Sequence, residues 1–177
     1  PQKCYLPSRD PAEGLKILDA ILTSLVQIPN AQLTIKPHPF DYSDLYRQQI
    51  QSRQLSDRVT ITNTPLQSLL PQSDIVISED STAAMEAMFL SKIVIHTHFA
   101  ASPPVLPMVD YQAALSATDP ATLLTALKKA LNLTPDAQQS LWQGQHNFIQ
   151  DYAGPLDGEA GHRVTALIME AIARNNG

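Results

Sequence analysis

The chain has 177 residues, of which 44% are hydrophobic and 16% charged, and its formal net charge is −5. This length and composition fit one globular domain with a substantial core, and we treat 1–177 as a single domain. The acidic balance and the lack of any run of Lys and Arg exclude nucleic acid as the main partner, because phosphate-backbone binding needs clustered basic side chains. The single cysteine, Cys4, excludes an internal disulfide and a cysteine-rich zinc site, and it fits a cytoplasmic setting.

The first half of the chain is predicted to alternate between helices and strands. Tyr5 and Leu6 fit the end of a short strand, and Asp10-Pro11 fits the capped start of a helix. Apolar residues at helical spacing then predict the buried face of that helix: Leu15, Leu18, Ile21, Leu22, Leu25 and Val26. Further elements are predicted as strands at 33–35 and 59–61, a helix over 44–52 and a helix start at 64–67.

The second half is predicted to continue the alternation and then to end in helices. A strand at 74–78, a helix over about 82–90 and a strand at 93–95 are followed by a long proline-bearing loop, 99–110. A weak strand is predicted at 113–116. Three helices follow, one capped by Asp119, one starting at Thr134 and the last carrying apolar residues from Val164 to Ile172.

This alternation predicts an α/β fold with an open parallel sheet and helices on both faces. The last two helices have no strand between them, so we expect them to pack as a cap or tail. Ligands of such sheets bind outside the carboxyl ends of the strands. Three polar segments fall at those ends: 36–39, 79–82 and 96–98.

The segment 73–87 is the most informative of the three. An apolar strand runs into a helix start in which Asp80, Ser81 or Thr82 can act as the N-cap. The free N–H groups and the dipole of a helix start attract anions, so this turn can bind phosphate. Glu86 lies about one turn further on and can reach sugar hydroxyls. The alternative is an ordinary capped strand–helix unit with no ligand.

The other two segments carry histidines. His38 lies between two prolines that stiffen its backbone, and with Lys36 nearby it can bind or stabilise a phosphate. The alternative is a turn whose histidine only caps a carbonyl. His96 and His98 share one side of an extended chain and could bind a metal, but the sequence shows no third ligand. We therefore interpret this pair as a solvated strand end and expect no metal.

Several common nucleotide and hydrolase motifs are absent. The sequence has no Gly-x-Gly-x-x-Gly, no Walker-type loop and no Gly-x-Ser-x-Gly elbow. A phosphate site in this chain would therefore be of the bare helix N-terminus kind.

Taken together, the segments 33–39, 73–87 and 92–95 resemble the C-terminal donor domain of GT-B glycosyltransferases. Among these, the segments most resemble the bacterial surface- and capsule-polysaccharide enzymes. CDP-glycerol glycerophosphotransferases and bacterial sialyltransferases are related to it and share a His-Pro motif and a Ser/Thr-rich helix start. The tail 154–160 with Arg163 also resembles the end of such polysaccharide proteins.

The resemblance implies roles for individual residues. His38 would be the catalytic residue that contacts the donor phosphate, and Pro39 would hold it. Ser81 and Thr82 would bind the phosphate or diphosphate, and Glu86 would bind hydroxyls of the sugar or ribose. The remaining expected substrate-binding residues are Lys36, Asp80 and His98. The acidic pair Glu79-Asp80 departs from the pattern and puts negative charge beside the anion site.

The implied function is that of the donor-binding half of a glycosyltransferase in surface or capsular polysaccharide biosynthesis. Its substrate would be a CMP-, CDP- or UDP-linked sugar, and no separate cofactor is expected. The general base would come from an N-terminal acceptor domain, which we expect to be missing, so the chain would be inactive alone. We expect a cytoplasmic location, with peripheral membrane association of the full-length protein left open.

Two alternative functions remain at this point. One is a domain like that of the non-hydrolysing UDP-sugar 2-epimerases, which share the fold and a His-Pro turn. The other is a non-catalytic assembly module of a polysaccharide export complex, in which the proline-bearing loop and Trp142 would be contact surface.

Overall fold

The computed structural model describes residues 11–37 and 43–175. Within these ranges the helices and strands alternate as far as β4, after which a loop and β5 precede three helices. The elements in chain order are α1 (Pro11–Val26), β1 (Leu33–Ile35), α2 (Ser43–Ser52), β2 (Val59–Ile61), α3 (Leu66–Leu69), β3 (Ile75–Ser78), α4 (Thr82–Phe89), β4 (Ile93–Thr97), β5 (Leu115–Ala117), α5 (Pro120–Leu131), α6 (Pro135–Tyr152) and α7 (Ala160–Asn175).

All strand pairs of the described chain are parallel, as the alternation predicts. β1 pairs with β2, and β3, β4 and β5 pair in that order in a second group. The prediction of helices on both faces of a parallel α/β architecture is confirmed, although the strands form two hydrogen-bonded groups rather than one continuous sheet. Because β3, β4 and β5 run in the same direction, their carboxyl ends lie along a common edge.

Alternate side chains of β4 show how both faces of the sheet are covered. Val94 is fully buried in a cluster that contains Met88 of α4 and Phe148 of α6. Ile95, the next residue, is fully buried in a different cluster with Ala20 of α1 and residues of α5. This is the alternation expected of a strand with a helical layer on each side.

Helix α1 contributes to two parts of the core. Its Leu22 and Leu25 pack with Ile50 of α2 and Val59 of β2, while Ala20 faces β4 and α5. The helical spacing of apolar residues predicted this buried face, and Leu18, Leu22 and Leu25 are buried. Val26, which was predicted to share the face, is 57% exposed because it is the last residue of the helix.

The connection from β4 to β5 is a loop, residues 98–114, and it contains the predicted proline-bearing segment. Parallel neighbours need a crossover of a dozen or more residues, which is usually helical. Here the loop is held by burial instead, since Met108 and Ala113 are fully inaccessible to solvent. Both residues belong to the same hydrophobic cluster as Val94 and Phe148, so the loop is anchored to the core.

The two C-terminal helices differ from each other. α6 covers the sheet and buries Leu141, Phe148 and Ile149. The described side chains of α7 are all exposed, including Leu167 at 65% and Met169 at 61%. Only α6 acts as the cap that the sequence predicted, whereas α7 is a tail.

Three local details refine the sequence prediction. At the start of α3 the N-cap position is Pro65 rather than Thr64, and no side chain caps the helix. β4 extends to Thr97 because it is paired on both sides, and β5 lies at Leu115–Ala117, slightly later than predicted. The predicted first strand at Tyr5-Leu6 and the Asp10 cap lie outside the described residues.

No helix in the described part of the chain combines the length and apolar character needed to cross a bilayer.

Candidate functional site

Ser81 is the N-cap of α4. Its backbone is extended, with φ −144° and ψ 144°, and its Oγ accepts the N–H of Ala83 at 3.2 Å. Its carbonyl accepts the N–H of Ala84 at 3.1 Å. Of the three cap candidates in the sequence, Ser81 therefore caps the helix. Thr82 is the first residue of the helix, and its side chain is exposed.

Asp80 has a different role from the one expected of a cap. Its two carboxylate oxygens accept the backbone N–H groups of Val105 at 2.9 Å and Leu106 at 3.1 Å. Asp80 thus ties the end of β3 to the loop between β4 and β5, and it does not bind the first turn of α4. Val105 lies 25 residues further along the chain, so no local sequence pattern indicates this contact.

His96 and His98 lie on the same side of β4. Their rings are stacked, with centroids 6.1 Å apart and an interplanar angle of 24°. The pairing with β5 continues past the end of β4, because the N–H of His98 donates to the carbonyl of Ala117 at 2.9 Å. The extended chain at the end of the strand is what brings the two imidazoles together, as expected from their spacing of two residues.

Both imidazoles face the carboxylate of Asp80. Nε2 of His96 lies 3.2 Å from Oδ1, and Nδ1 of His98 lies 3.9 Å from Oδ2. We call Asp80, His96 and His98 the Asp–His cluster. It lies at the carboxyl edge of β3 and β4, directly before the start of α4.

Burial and charge determine the protonation of the cluster. Burial by itself would raise the pKa of Asp80, but the N–H groups of Val105 and Leu106, with the two imidazoles, hold it below its usual value. Burial lowers the pKa of His96, and the carboxylate of Asp80 offsets only part of that effect. At neutral pH the cluster therefore contains an ionised Asp80 beside a neutral His96.

His96 has an unmet hydrogen-bonding requirement. Its side chain is almost completely buried, and Nε2 has no hydrogen-bond partner among the described residues. Oδ1 of Asp80 lies 3.2 Å from Nε2 and raises the pKa of the imidazole in part, but the contact falls short of a well-formed hydrogen bond. Buried polar atoms without a partner are uncommon in folded proteins and call for an explanation.

The other predicted site residues are less closely grouped. Lys36 is exposed just after β1, in the strand pair separate from β3 and β4. Glu86 is half-buried on α4, one turn beyond Thr82. His38 and Pro39 lie outside the described residues, so their approach to Ser81 stays a prediction.

Sequence reasoning identified the histidine pair but omitted His96 from the site and found no third ligand. The contact between Asp80 and His96 depends on which strands are neighbours in the sheet, and a single sequence does not show this. Asp80 follows β3 and His96 ends β4, and neighbouring parallel strands bring such residues together. The burial of His96 depends on packing by distant segments and has no sequence signature.

The fold is that of one half of the GT-B architecture, with a helix start at the carboxyl edge of parallel strands. Residues 12–101, about half of the chain, match the family described as capsule polysaccharide biosynthesis protein. The chain belongs to this family, and it is a glycosyltransferase-like domain of polysaccharide biosynthesis. A comparison with curated proteins gives no match.

Solved structures share the fold. One is the C-terminal domain of the glycosyl transferase group 1 family protein LpcC from Francisella tularensis, with 15% identity, 82% of each chain covered and a TM-score of 0.58. Another is sucrose-phosphate synthase from Thermosynechococcus elongatus, with 20% identity, 90% of this chain and 42% of that one covered, and a TM-score of 0.61. A third is a glycosyltransferase from Rickettsia africae, with 15% identity, 78% and 39% covered, and a TM-score of 0.61. The chain thus spans less than half of the last two proteins.

Proposed function

We propose that the chain binds the nucleotide part of a sugar donor, with the donor phosphates at the N-terminus of α4. The observation that carries this proposal is the Ser81 cap of α4, which directly follows the carboxyl end of β3. Ligands of open α/β sheets bind at that edge. Membership of the capsule polysaccharide family supports a sugar nucleotide over other anions.

The start of α4 has the properties that a phosphate needs. The N–H groups of Ala83 and Ala84 are bonded to Ser81, and the helix dipole adds roughly half a positive charge at the start of the helix. The exposed Thr82 hydroxyl can donate a further hydrogen bond to a phosphate oxygen. This arrangement binds an anion without a cluster of basic residues, in agreement with the net charge of −5.

The remaining roles follow from the resemblance. We assign the departing phosphate to His38 and Pro39, with Lys36 as a nearby cation, and the hydroxyls of the sugar or ribose to Glu86. Catalysis in the complete protein would consist of positioning the donor and stabilising the leaving phosphate, with the general base supplied by an acceptor domain. Glycosyl transfer is therefore proposed for the complete protein, in the cytoplasm, and donor binding for this chain.

Thermal unfolding in the presence of nucleotides tests the proposal. CMP, CDP and UDP should be added separately to the parent chain and to the variants Ser81→Ala and His38→Ala. We expect at least one nucleotide to raise the melting temperature of the parent and to raise that of each variant much less. Because Ser81→Ala also removes a cap, the measured quantity is the shift caused by ligand and not the melting temperature itself.

Thr134→Ala is the matched control for this experiment. Thr134 caps α6 with its hydroxyl, as Ser81 caps α4, although it accepts the N–H three residues on, that of Ala137 at 3.3 Å, rather than two residues on. This variant should lose stability but keep the full nucleotide-dependent shift. A parent chain that responds to none of the three nucleotides would refute the proposed function.

A further inference from the structure

We propose that Asp80, His96 and His98 bind one divalent transition-metal ion of the zinc class at the carboxyl edge of β3 and β4. The two histidines offer imidazole nitrogens and Asp80 offers a carboxylate oxygen. Imidazole favours zinc and related transition metals, whereas magnesium and calcium prefer sites made of oxygen alone. The donor set is that of known sites with two histidines and one carboxylate.

The distances within the Asp–His cluster suit a small ion. One ligand atom from each residue can be chosen so that the three atoms lie within 4.8 Å of one another. Ligands of a tetrahedral zinc ion, at roughly 2.0 to 2.2 Å from the metal, are about 3.3 Å apart. The separation of 3.2 Å between Asp80 Oδ1 and His96 Nε2 already matches, and Nδ1 of His98 lies 3.9 Å from the other carboxylate oxygen, Oδ2, so binding would draw His98 closer to the ion.

The second nitrogen of His98 is held as in many metal-binding histidines. Nε2 lies 2.5 Å from the carbonyl oxygen of Ser102, which can only accept a hydrogen bond. Nε2 of the neutral ring therefore carries the hydrogen, and Nδ1 presents its lone pair towards Asp80. A backbone carbonyl that fixes the tautomer in this way is a typical outer-shell partner of a histidine ligand.

Without a cation the same arrangement places electron-rich atoms against each other. In a neutral His98 ring the lone pair of Nδ1 faces the carboxylate of Asp80, whose oxygens accept the N–H groups of Val105 and Leu106. Nε2 of His96, nine-tenths buried or more, points at the same carboxylate without forming a hydrogen bond to any described residue. A metal ion between the three groups would satisfy all of them.

The site is reachable from solvent on one side. The side chains of Asp80 and His98 are 21% and 19% exposed, whereas that of His96 is 1% exposed. An ion can therefore enter beside Asp80 and His98 and keep at least one coordination position for water or a ligand oxygen, as open zinc sites do.

The metal would have two effects on the surrounding chain. It would fix the loop 98–114, because Asp80 holds Val105 and Leu106 and His98 holds Ser102. It would also offset the negative charge of Asp80 next to the start of α4. The second effect rests on the proposed function and predicts that zinc strengthens nucleotide binding.

Calorimetric titration of chelator-treated, nucleotide-free chain with ZnCl₂ tests the site. We expect one ion per chain, and in the variants Asp80→Asn and His98→Ala we expect affinity to fall by at least about a hundredfold, since even outer-shell changes cost about ten- to a hundredfold. His162→Ala is the matched control, because His162 also has a carboxylate partner, Glu159 at 2.6 Å, but lies on exposed α7. That variant should bind zinc like the parent.

Imidazole NMR provides a second measurement that needs no variant. The chain has five histidines, and on addition of ZnCl₂ only the resonances of His96 and His98 should shift. Absence of stoichiometric zinc binding would overturn the proposal. Zinc binding that shifts the resonances of other histidines would also overturn it. So would zinc binding that is retained by folded Asp80→Asn and His98→Ala chains.

The metal site and the proposed function can fail separately. Zinc binding without any nucleotide-dependent thermal shift, with or without zinc, would refute the proposed function and leave the metal site intact. A nucleotide-dependent shift that is unaffected by a chelator, in a chain that binds no zinc, would refute the metal site and leave the proposed function intact.

Discussion

The carboxylate of Asp80 and the imidazole of His96 lie 3.2 Å apart, although 16 positions separate them in the sequence. They meet because β3 and β4 are parallel neighbours in which Ser78 is aligned with His96. The residues that follow β3 therefore lie beside the end of β4. This one register places the Asp–His cluster next to the helix start that we propose as the phosphate site.

Replacement of Ser81 by Ala should destabilise the folded chain by about 1 kcal/mol, the usual cost of losing an N-cap side chain. The reason is that the N–H of Ala83 would lose its acceptor. Urea denaturation of the parent and the variant measures the difference. Ser81→Asp, which keeps a capping oxygen, should recover most of the loss, and equal stability of parent and Ser81→Ala would contradict the assignment of the cap.

Replacement of Gly144 by Ala should destabilise the chain by about 1 to 3 kcal/mol through overpacking. A Cβ at this position would lie 2.4 Å from the carbonyl oxygen of Tyr111 and 2.6 Å from the backbone of Gln112. Helix α6 and the loop would have to separate to admit it. Chemical denaturation measures the cost.

Gly161→Ala is the control for Gly144→Ala, since a Cβ at Gly161 in helix α7 meets no atom within 4 Å. It should be neutral or slightly stabilising, because Ala favours a helix over Gly. Similar effects of the two substitutions would show that the close approach at Gly144 is not maintained in solution.

Replacement of Gln145 by Leu should cost about 1 to 3 kcal/mol, the penalty for leaving buried polar groups without a partner. The Gln145 side chain is 2% exposed, and its Nε2 donates to the carbonyls of Lys92 at 2.8 Å and Ala113 at 3.3 Å. These two bonds join α6 to Lys92, just before β4, and to Ala113, near the end of the loop 98–114. Gln143→Leu, at an exposed position of the same helix, should change the free energy of unfolding much less, and comparable losses would argue against a specific role for Gln145.

The stability that Asp119 adds should depend on pH. The N–H of Thr122, together with that of Ala121, lowers the pKa of this capping carboxyl below 3.8. A carboxyl with a lowered pKa in the folded state stabilises fully above its unfolded pKa, and that contribution is lost as the pH falls through the folded value. Asp119→Ala should therefore lower the melting temperature at pH 7, and the difference from the parent should shrink below about pH 3.8.

Thr134→Ala serves as the uncharged comparison for Asp119→Ala. It removes a hydroxyl cap from α6, so its effect should stay constant over the same pH range relative to the parent. Melting curves collected between pH 7 and pH 3 for the three chains distinguish the two behaviours. A loss at Asp119 that is equally large at pH 3 would mean that its charge plays no part in the cap.

Much of the architecture follows from local sequence. The apolar spacing in α1, the caps at Asp119 and Thr134 and the alternation of strands with helices each depend on residues within one or two turns of one another. These signals correctly predicted the parallel α/β fold, the α4 helix start and the long loop after β4. They did not predict that α7 would be exposed, because an apolar helical stripe is present whether or not a partner surface covers it.

The amino-acid sequence by itself determined the class of fold and the location of polar residues at strand ends, since hydrophobic periodicity and capping act over short stretches of chain. Only the tertiary structure decided which of those residues meet. Asp80 binds the loop at Val105 and Leu106, and His96 is buried with its Nε2 facing Asp80 and without a hydrogen-bond partner among the described residues. Both results depend on the packing of segments that are distant in sequence, because the direction and burial of a side chain at a strand end are set by its neighbours in space.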